Sequence, residues 1–362
     1  MIEEKIKLAI TENRPYVAFP ESYYTQLVEK YGENAVFKYS SQGKTYAVLN
    51  LFKTSLFPKL STSSNGVKIL PVDFSKYLPK PVTYVEQRQE LKKIEVAFEA
   101  GKSVLLTGPK GTGKTLCLHK FAEIHNLPIY VFDCSEDMKR FDLIGRFTKT
   151  GNEIAFILGA LPKAIEIANQ AAENGYEGAL FVLEEIACLP PFTQKLLNSL
   201  LDWRRYVEVE EVDKLYKLNP DAKLFIAATS NPSYYSATFE LNEDLKSRFT
   251  EIRFPYPSES TEKKIIKANV PEISEEIVDK IILFAKETRA AYNQGVLSYC
   301  LSPRDCVAFC ELYLAAFKKY RSPNTVLKAV LEMIIMDRFD SIQKREIDFL
   351  KQRILDIFGL EV

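Results

Sequence analysis

The segment GPKGTGKT, Gly108 to Thr115, fits the phosphate-loop pattern G-x-x-x-x-G-K-[ST] without a mismatch. Gly108, Gly111 and Gly113 have no Cβ, so the backbone there can wrap closely and turn its N–H groups inward. The helix expected to follow adds the positive end of its dipole. Gly108, Pro109, Lys110, Gly111, Thr112 and Gly113, with Lys114, Thr115 and Leu116 at the helix start, would cradle a triphosphate. Lys114 would reach the β- and γ-phosphates, and the Thr115 hydroxyl would ligate Mg²⁺. The apolar run Val104, Leu105, Leu106 reads as a buried parallel strand, and Thr115 to Ile124 reads as a helix. That context separates the motif from a glycine-rich turn that binds nothing, and the residues predict binding of a nucleoside triphosphate.

Hydrolysis needs more: a carboxylate on the metal side, a base for water, a sensor of the γ-phosphate and a cation brought in from outside. The apolar stretch ALFVL ends in Glu184 and Glu185. Glu184 would hold Mg²⁺ through water, and Glu185 would polarise the attacking water. Glutamate at 184 is one methylene longer than aspartate, and Mg²⁺ tolerates poor geometry badly, so slow turnover is one consequence. The stretch LFIAATS leads to Asn231-Pro232, where an amide could orient the lytic water. ELNEDLKSRF places Arg248 at a helix end, able to project into a neighbouring subunit's nucleotide; Arg253 is a nearby competitor. In LSPRD, Pro303 would start a helix with Arg304 just inside it, poised for the γ-phosphate.

Stepping outward, strands and helices alternate around these residues. Ile129 to Phe132, Ala179 to Leu183 and Leu224 to Thr229 read as buried strands. Val85 to Ala100, residues 160 to 174 and Phe192 to Trp203 read as helices. This alternation argues for a parallel sheet with right-handed crossovers. After Pro257 only helical patterns remain, broken at Leu301-Ser302-Pro303. Residues 1–77 read as a small α/β module: helices over Glu3 to Thr11 and Glu21 to Tyr31, strands over Ala35 to Tyr39 and Lys44 to Phe52. Ser41-Gln42-Gly43 would be a hairpin turn, and Ser61 to Gly66 a polar loop. LPKPVTY, Leu78 to Tyr84, is the connector. The boundaries expected are 1–77, a nucleotide-binding core at 78–257, and a helical lid with C-terminal helices at 258–362.

In the 362 residues, 48 basic side chains balance 48 acidic ones, so no overall field draws the chain to nucleic acid or an anionic membrane. No apolar run approaches the ~20 residues a bilayer span requires. MIEEKIKLAI has acids where a signal peptide carries basic residues, and a cytoplasmic protein is expected. Six cysteines without a C-x-x-C pair, and only two histidines, supply a zinc site poorly; buried free thiols are expected. His119 and His125 read as packing or solvent-facing residues.

Taken together, roughly residues 78–345 resemble an AAA+ ATPase, and within that class the MoxR group with its CbbQ/NorQ and dynein/midasin-like relatives. GPKGTGKT is similar to Walker A, FVLEEI to Walker B, ATSNP to the sensor 1 strand end, LKSRF to the finger segment, and SPR to the sensor 2 start. Phe141 to Ile165 is similar to the helix-2 insert hairpin, with its turn near Thr150-Gly151-Asn152. Arg204 to Pro220 looks like the pre-sensor-1 hairpin. CLPPFTQKLLNSLLD matches the Pro-Pro and Gln-x-x-Leu-Leu pattern after Walker B. The first 77 residues lie outside the match, as do the last fifteen or so.

The resemblance implies ATP as the nucleotide, a three-layer α/β core with a helical lid, and a homo-oligomer, a hexameric ring, with ATP between subunits. It also implies a protein client, in some relatives a von Willebrand A-domain protein. Two other readings fit the same residues. One is a nucleic-acid-directed motor or GTP-using restriction-type subunit, against which stand the first hairpin's tip, GNE and not basic, and Glu208, Glu210 and Glu211 in the second. The other is a ring that binds ATP as assembly glue, with Glu184 blunting turnover.

Overall fold

The computed structural model describes residues 2–11, 16–41, 44–50, 61–62, 67–150, 153–231, 239–320, 322–336 and 344–361. The chain divides into two compact units. One combines Met1–Val82, Leu91–Leu106 and Leu118–Ile252; the other combines Thr83–Glu90, Thr107–Cys117 and Arg253–Val362.

The first unit begins with α1 (Ile2–Thr11), β1 (Tyr16–Pro20), α2 (Tyr24–Tyr31), β2 (Val36–Ser41) and β3 (Lys44–Asn50). The strands form an antiparallel sheet in the order β1-β3-β2. Alternation along these strands sends Val17, Phe19, Val36, Ala47 and Leu49 to one face, where they pack with Ile6, Ala9 and Leu27 of the helices. Tyr16, Tyr39 and Val48 go instead into the main core with Phe74 and Tyr176. The Tyr39 and Tyr176 rings lie 4.1 Å apart, and Tyr16 meets Phe74 at 4.9 Å, near edge-on. Asn126 adds a hydrogen bond of 2.9 Å to the Tyr39 hydroxyl. Both faces of the small sheet are thus covered by this unit. Of the expected turn, Gln42 and Gly43 lie outside the described residues.

Next come β4 (Ser61–Thr62), β5 (Lys68–Ile69), α3 (Glu90–Glu99), β6 (Ser103–Thr107), α4 (Lys114–Ile124) and β7 (Ile129–Asp133). They are followed by α5 (Arg140–Leu143), β8 (Gly145–Thr150), β9 (Glu153–Leu158), α6 (Ala160–Glu173) and β10 (Gly178–Glu184). The expected loop from Ser61 therefore starts as a short strand, while residues 63–66 lie outside the described ones. Strands β8 and β9 form an antiparallel hairpin, whose Gly151 and Asn152 are likewise outside, and β5 adds to β9 in parallel. The helix read over Val85 to Ala100 starts only at Glu90. The buried Glu90 carboxylate accepts the N–H groups of Gln87 and Arg88, which fixes a turn there, and Gln89 sits at φ 57°.

The helix read over Phe192 to Trp203 is broken into α7 (Pro191–Gln194), a 3₁₀ turn and α8 (Asn198–Leu201). Buried Gln194 spends its side chain on Leu189 O and the N–H of Asn242. Then follow β11 (Tyr206–Val209) and β12 (Lys214–Lys217), an antiparallel hairpin, and β13 (Lys223–Ser230), α9 (Glu243–Lys246) and β14 (Phe249–Arg253). The central sheet has the order β14-β6-β13-β10-β7, with β10 parallel to both β7 and β13. Strands such as LFVL and LFIAA are buried on both faces, as a sheet covered by helices on each side demands. Because β13 is inserted beside β10, the residue after β13 stands next to the acids that end β10.

In the second unit, α10 (Glu259–Asn269), α11 (Glu275–Asn293), α12 (Pro303–Tyr320), α13 (Pro323–Leu331) and α14 (Lys344–Phe358) surround a core that includes Ile266, Phe284, Phe309, Leu331 and Phe358. Ser258 and Ser274 cap α10 and α11 by accepting N–H groups one turn on. Among the described residues, no strand follows Arg253, and no helix is long and apolar enough to cross a membrane.

Candidate functional site

The phosphate loop lies in the second unit. Lys114 is buried, and its ammonium donates to the carbonyls of Gly108 at 2.7 Å and Pro109 at 2.8 Å; Thr112 Oγ1 donates to Pro109 O at 2.9 Å. Two glycines have no substitute. Gly108 is at φ +154°, and a Cβ there would stand 2.0 Å from the carbonyl oxygen of Phe254. Gly111 is at φ +72°, and a Cβ would stand 2.4 Å from Ser302 Oγ and 3.3 Å from the Arg304 Cβ. The start of α12 therefore rests directly on the phosphate loop. Gln87, in the turn before α3, reaches the same loop through Thr112 O at 3.3 Å. Lys110 and Leu116 are exposed, and Gly113 and Thr115 are half-buried.

The acids lie in the first unit. Glu184 ends β10 opposite Asp133 of β7, and its carbonyl accepts Cys134 N–H at 2.9 Å. Glu185 leaves the strand in the left-handed region at φ 53°, ψ 48°, costly for a side chain larger than glycine. Three contacts hold it. Its N–H donates to Thr229 Oγ1 at 3.0 Å, Asn231 Nδ2 donates to its Oε1 at 3.0 Å, and the Cys188 thiol approaches its Oε2 at 3.7 Å. Asn231 is itself buried. His119 on α4 has its pKa lowered by burial, partly opposed by the nearby Glu184 charge.

Of the residues expected to act, the structure joins Glu185 with Asn231, and Gly111 with Arg304. Arg248 is engaged with Asp244, one helical turn back, at 3.1 Å, while its Nε has no partner among the described residues. Arg304 and Arg253 are exposed. Pro232 of the Asn-Pro pair lies outside the described residues. All six cysteines are free thiols, and among the described residues no cluster of three or more His, Cys, Asp or Glu could hold a metal by itself.

The donor set fits a magnesium triphosphate. The buried Lys114 ammonium, already donating to loop carbonyls, would gain a charge-assisted bond from a phosphate oxygen. The Thr115 hydroxyl at the end of the loop is a hard oxygen donor, the kind Mg²⁺ selects. Sequence reasoning missed Thr229, Cys188, Ser302 and Asp305. The last two carried a signal, since S-P-R-D has the S-x-x-[DE] spacing of a helix capping box.

Residues 103–249 match the family described as AAA domain (dynein-related subfamily). A Staphylococcus epidermidis protein, named only as an uncharacterized protein, is 31% identical over 206 residues, spanning 56% of this chain and 73% of the relative. A Staphylococcus aureus protein of similar description is 29% identical over 221 residues, covering 59% and 79%. Among solved structures, a Thermotoga maritima RuvB mutant aligns at TM-score 0.48 with 16% identity, covering 76% of this chain and 79% of that one. NtrX from Brucella abortus, in complex with ADP, aligns at TM-score 0.48 with 14% identity, covering 77% and 64%. The chain shares a family with the Staphylococcus epidermidis protein and carries, at residues 103–249, an AAA domain of the dynein-related subfamily on an AAA+ P-loop NTPase fold.

Proposed function

We propose that this protein is an ATPase of the MoxR type that works as a ring, a hexamer, and remodels a protein client. The observation that carries the reading is the Asn231–Glu185 hydrogen bond of 3.0 Å, which sets an amide and a carboxylate side by side at the ends of adjacent parallel strands. Such a pair can hold one water between a hydrogen-bond donor and a base. Glu185 takes the proton from that water, and Asn231 orients it toward the γ-phosphate. Lys114 and Arg304 neutralise charge on the transferring group, and Arg248 of the adjoining copy supplies the remaining cation. Mg²⁺, held by Thr115 and through water by Glu184, would lower the charge on the β- and γ-oxygens.

Exposed apolar side chains on the two hairpins suit contact with a polypeptide. Phe147 and Ile154 on β8 and β9 are 50% and 68% exposed, Leu215 on β12 is 43% exposed, and Trp203, just before the second hairpin, is 90% exposed. Glu208 and Glu210 on the second hairpin are exposed, although Arg140 pairs with Glu210 and Glu211, each at 3.4 Å, and exposed acids there favour protein over nucleic acid. The client is taken to be a protein, a von Willebrand A-domain partner among them, and the working location the cytoplasm. The test of shared sites is to mix Arg248→Ala with Glu185→Ala subunits. Partial return of ATP hydrolysis supports finger and base from different copies; no return from variants that still assemble contradicts it.

A further inference from the structure

The residues just before α12 are held more firmly than packing alone would require. Leu301 has both backbone groups bonded to α11: its N–H donates to Thr288 Oγ1 at 3.2 Å, and its carbonyl accepts Arg289 Nε at 2.8 Å. Arg289 is fixed in turn by a two-pronged pair with buried Glu262, at 2.8 and 2.6 Å, and lies over the Tyr256 ring at 4.4 Å. On the other side of the turn, one oxygen of Asp305 collects three donors. These are Ser302 N–H at 2.8 Å, Ser302 Oγ at 2.7 Å and the Tyr299 hydroxyl at 2.7 Å. Asp305 is 6% exposed and sits in the first turn of α12, where the helix dipole favours a carboxylate.

This network ends on the phosphate loop. Ser302 occupies the space that a side chain at Gly111 would need, and the Arg304 Cβ lies 3.3 Å from the same point. Arg304 is exposed and nothing described anchors its guanidinium, so its aim depends on where the turn beneath it is held. A displacement of about 1 Å at such a point can cost roughly a hundredfold in rate.

We propose that Asp305 is a positioning residue: by gathering Ser302 and Tyr299 it fixes the α12 start on Gly111 and thereby aims Arg304 at the γ-phosphate. The Thr288–Arg289 pair pins the preceding residue for the same purpose. This rests on the ATPase reading above, within which Arg304 meets the γ-phosphate and no other part of the nucleotide. Asp305 therefore governs the preference for triphosphate over diphosphate, not nucleotide binding in general.

The test measures the ratio of ADP to ATP dissociation constants, with magnesium, in full-length protein carrying Glu185→Gln to prevent turnover. Arg304→Ala lowers the preference for ATP, and Asp305→Ala lowers it by a similar factor, about tenfold or more, while ADP affinity stays within about twofold of the parent. Asp305→Asn, which keeps an acceptor oxygen for Ser302, recovers most of the preference. Ser302→Ala, a milder change, gives an intermediate loss and serves if Asp305→Ala does not fold. If Asp305→Ala and Ser302→Ala keep the full preference while Arg304→Ala loses it, the positioning role is overturned and the ATPase reading stands. If Arg304→Ala itself changes nothing, both the role of Arg304 and this proposal fall.

Discussion

The side-chain amide of Asn231 donates to Glu185 Oε1 at 3.0 Å, and the two residues follow adjacent parallel strands paired from Gly178↔Lys223 to Leu183↔Ala228. The backbone of Glu185 is bonded to the same neighbouring strand, through Thr229 Oγ1. The carboxylate is thus aimed by its neighbour on both sides, and its left-handed backbone is sustained by these bonds. Replacing Asn231 by Ala should lower kcat for ATP hydrolysis by about a hundredfold, with KM changed far less. Thr229→Val should give a smaller loss of the same kind. Steady-state kinetics on both variants check this, and a rise in KM with kcat intact would contradict it.

Gly111→Ala asks for a Cβ at φ +72° and 2.4 Å from Ser302 Oγ. The variant should lose at least ~1 kcal/mol of stability and bind ATP weakly, because either the loop or the α12 start must shift. Gly108→Ala should be worse, since the obstacle is the Phe254 backbone, not a side chain able to turn aside. Thermal melts with and without nucleotide distinguish these two from Gly101→Ala. That glycine has nothing within 4 Å of its Cβ position and carries only the backbone strain of φ +64°.

The Glu262–Arg289 pair is almost wholly buried, with side chains 1% and 11% exposed. Removing one partner leaves an uncompensated buried charge, so Arg289→Ala should destabilise the C-terminal helical unit by about 3–5 kcal/mol. The double change Glu262→Leu with Arg289→Met should recover much of that loss. A double-mutant cycle by urea unfolding reads the difference, and additive single losses would contradict the coupling.

Burial pushes the thiols of Cys117 and Cys310 up to about 12 and raises those of Cys134, Cys300 and Cys306 as well. At pH 8 those five are protonated and enclosed, whereas Cys188 is half-buried and reaches the Glu185 carboxylate. Iodoacetamide should therefore label Cys188 first in the native protein, and hydrolysis should fall in step with that label. Peptide mass spectrometry gives the order; Cys117 reacting ahead of Cys188 would contradict it.

The parts legible in the sequence are those where local pattern and tertiary role coincide. The phosphate loop declares itself because three glycines, a lysine and a hydroxyl have no other common use at that spacing. The buried strands β7, β10 and β13 stand out as apolar runs, each found within a residue or two of its read limits. Strand β14 carries charge at Glu251 and Arg253, and β5 pairs over only two residues, so neither shows such a run. The early start read for α3 failed because a buried carboxylate, Glu90, organises the turn before it. The docking of the N-terminal sheet was hidden for a different reason: β1, which carries Tyr16, is missing from the sequence reading, and Tyr39 alternates along its strand as a solvent-facing tyrosine also would. The Ser302–Asp305 box is present in the sequence as S-x-x-D, but the Pro303-Arg304 pair between its ends gives the stronger local signal.

The claim that bears the most weight is that Glu185 is the base of a working ATPase. It is tested most directly by measuring phosphate release and ATP binding side by side for the wild-type chain and Glu185→Gln, with Lys114→Ala as background. The account predicts steady release by the wild type, a loss of about a hundredfold or more in Glu185→Gln, and ATP affinity retained in that variant. Release by Glu185→Gln at the wild-type rate, or a wild-type rate no higher than that of Lys114→Ala, would contradict it.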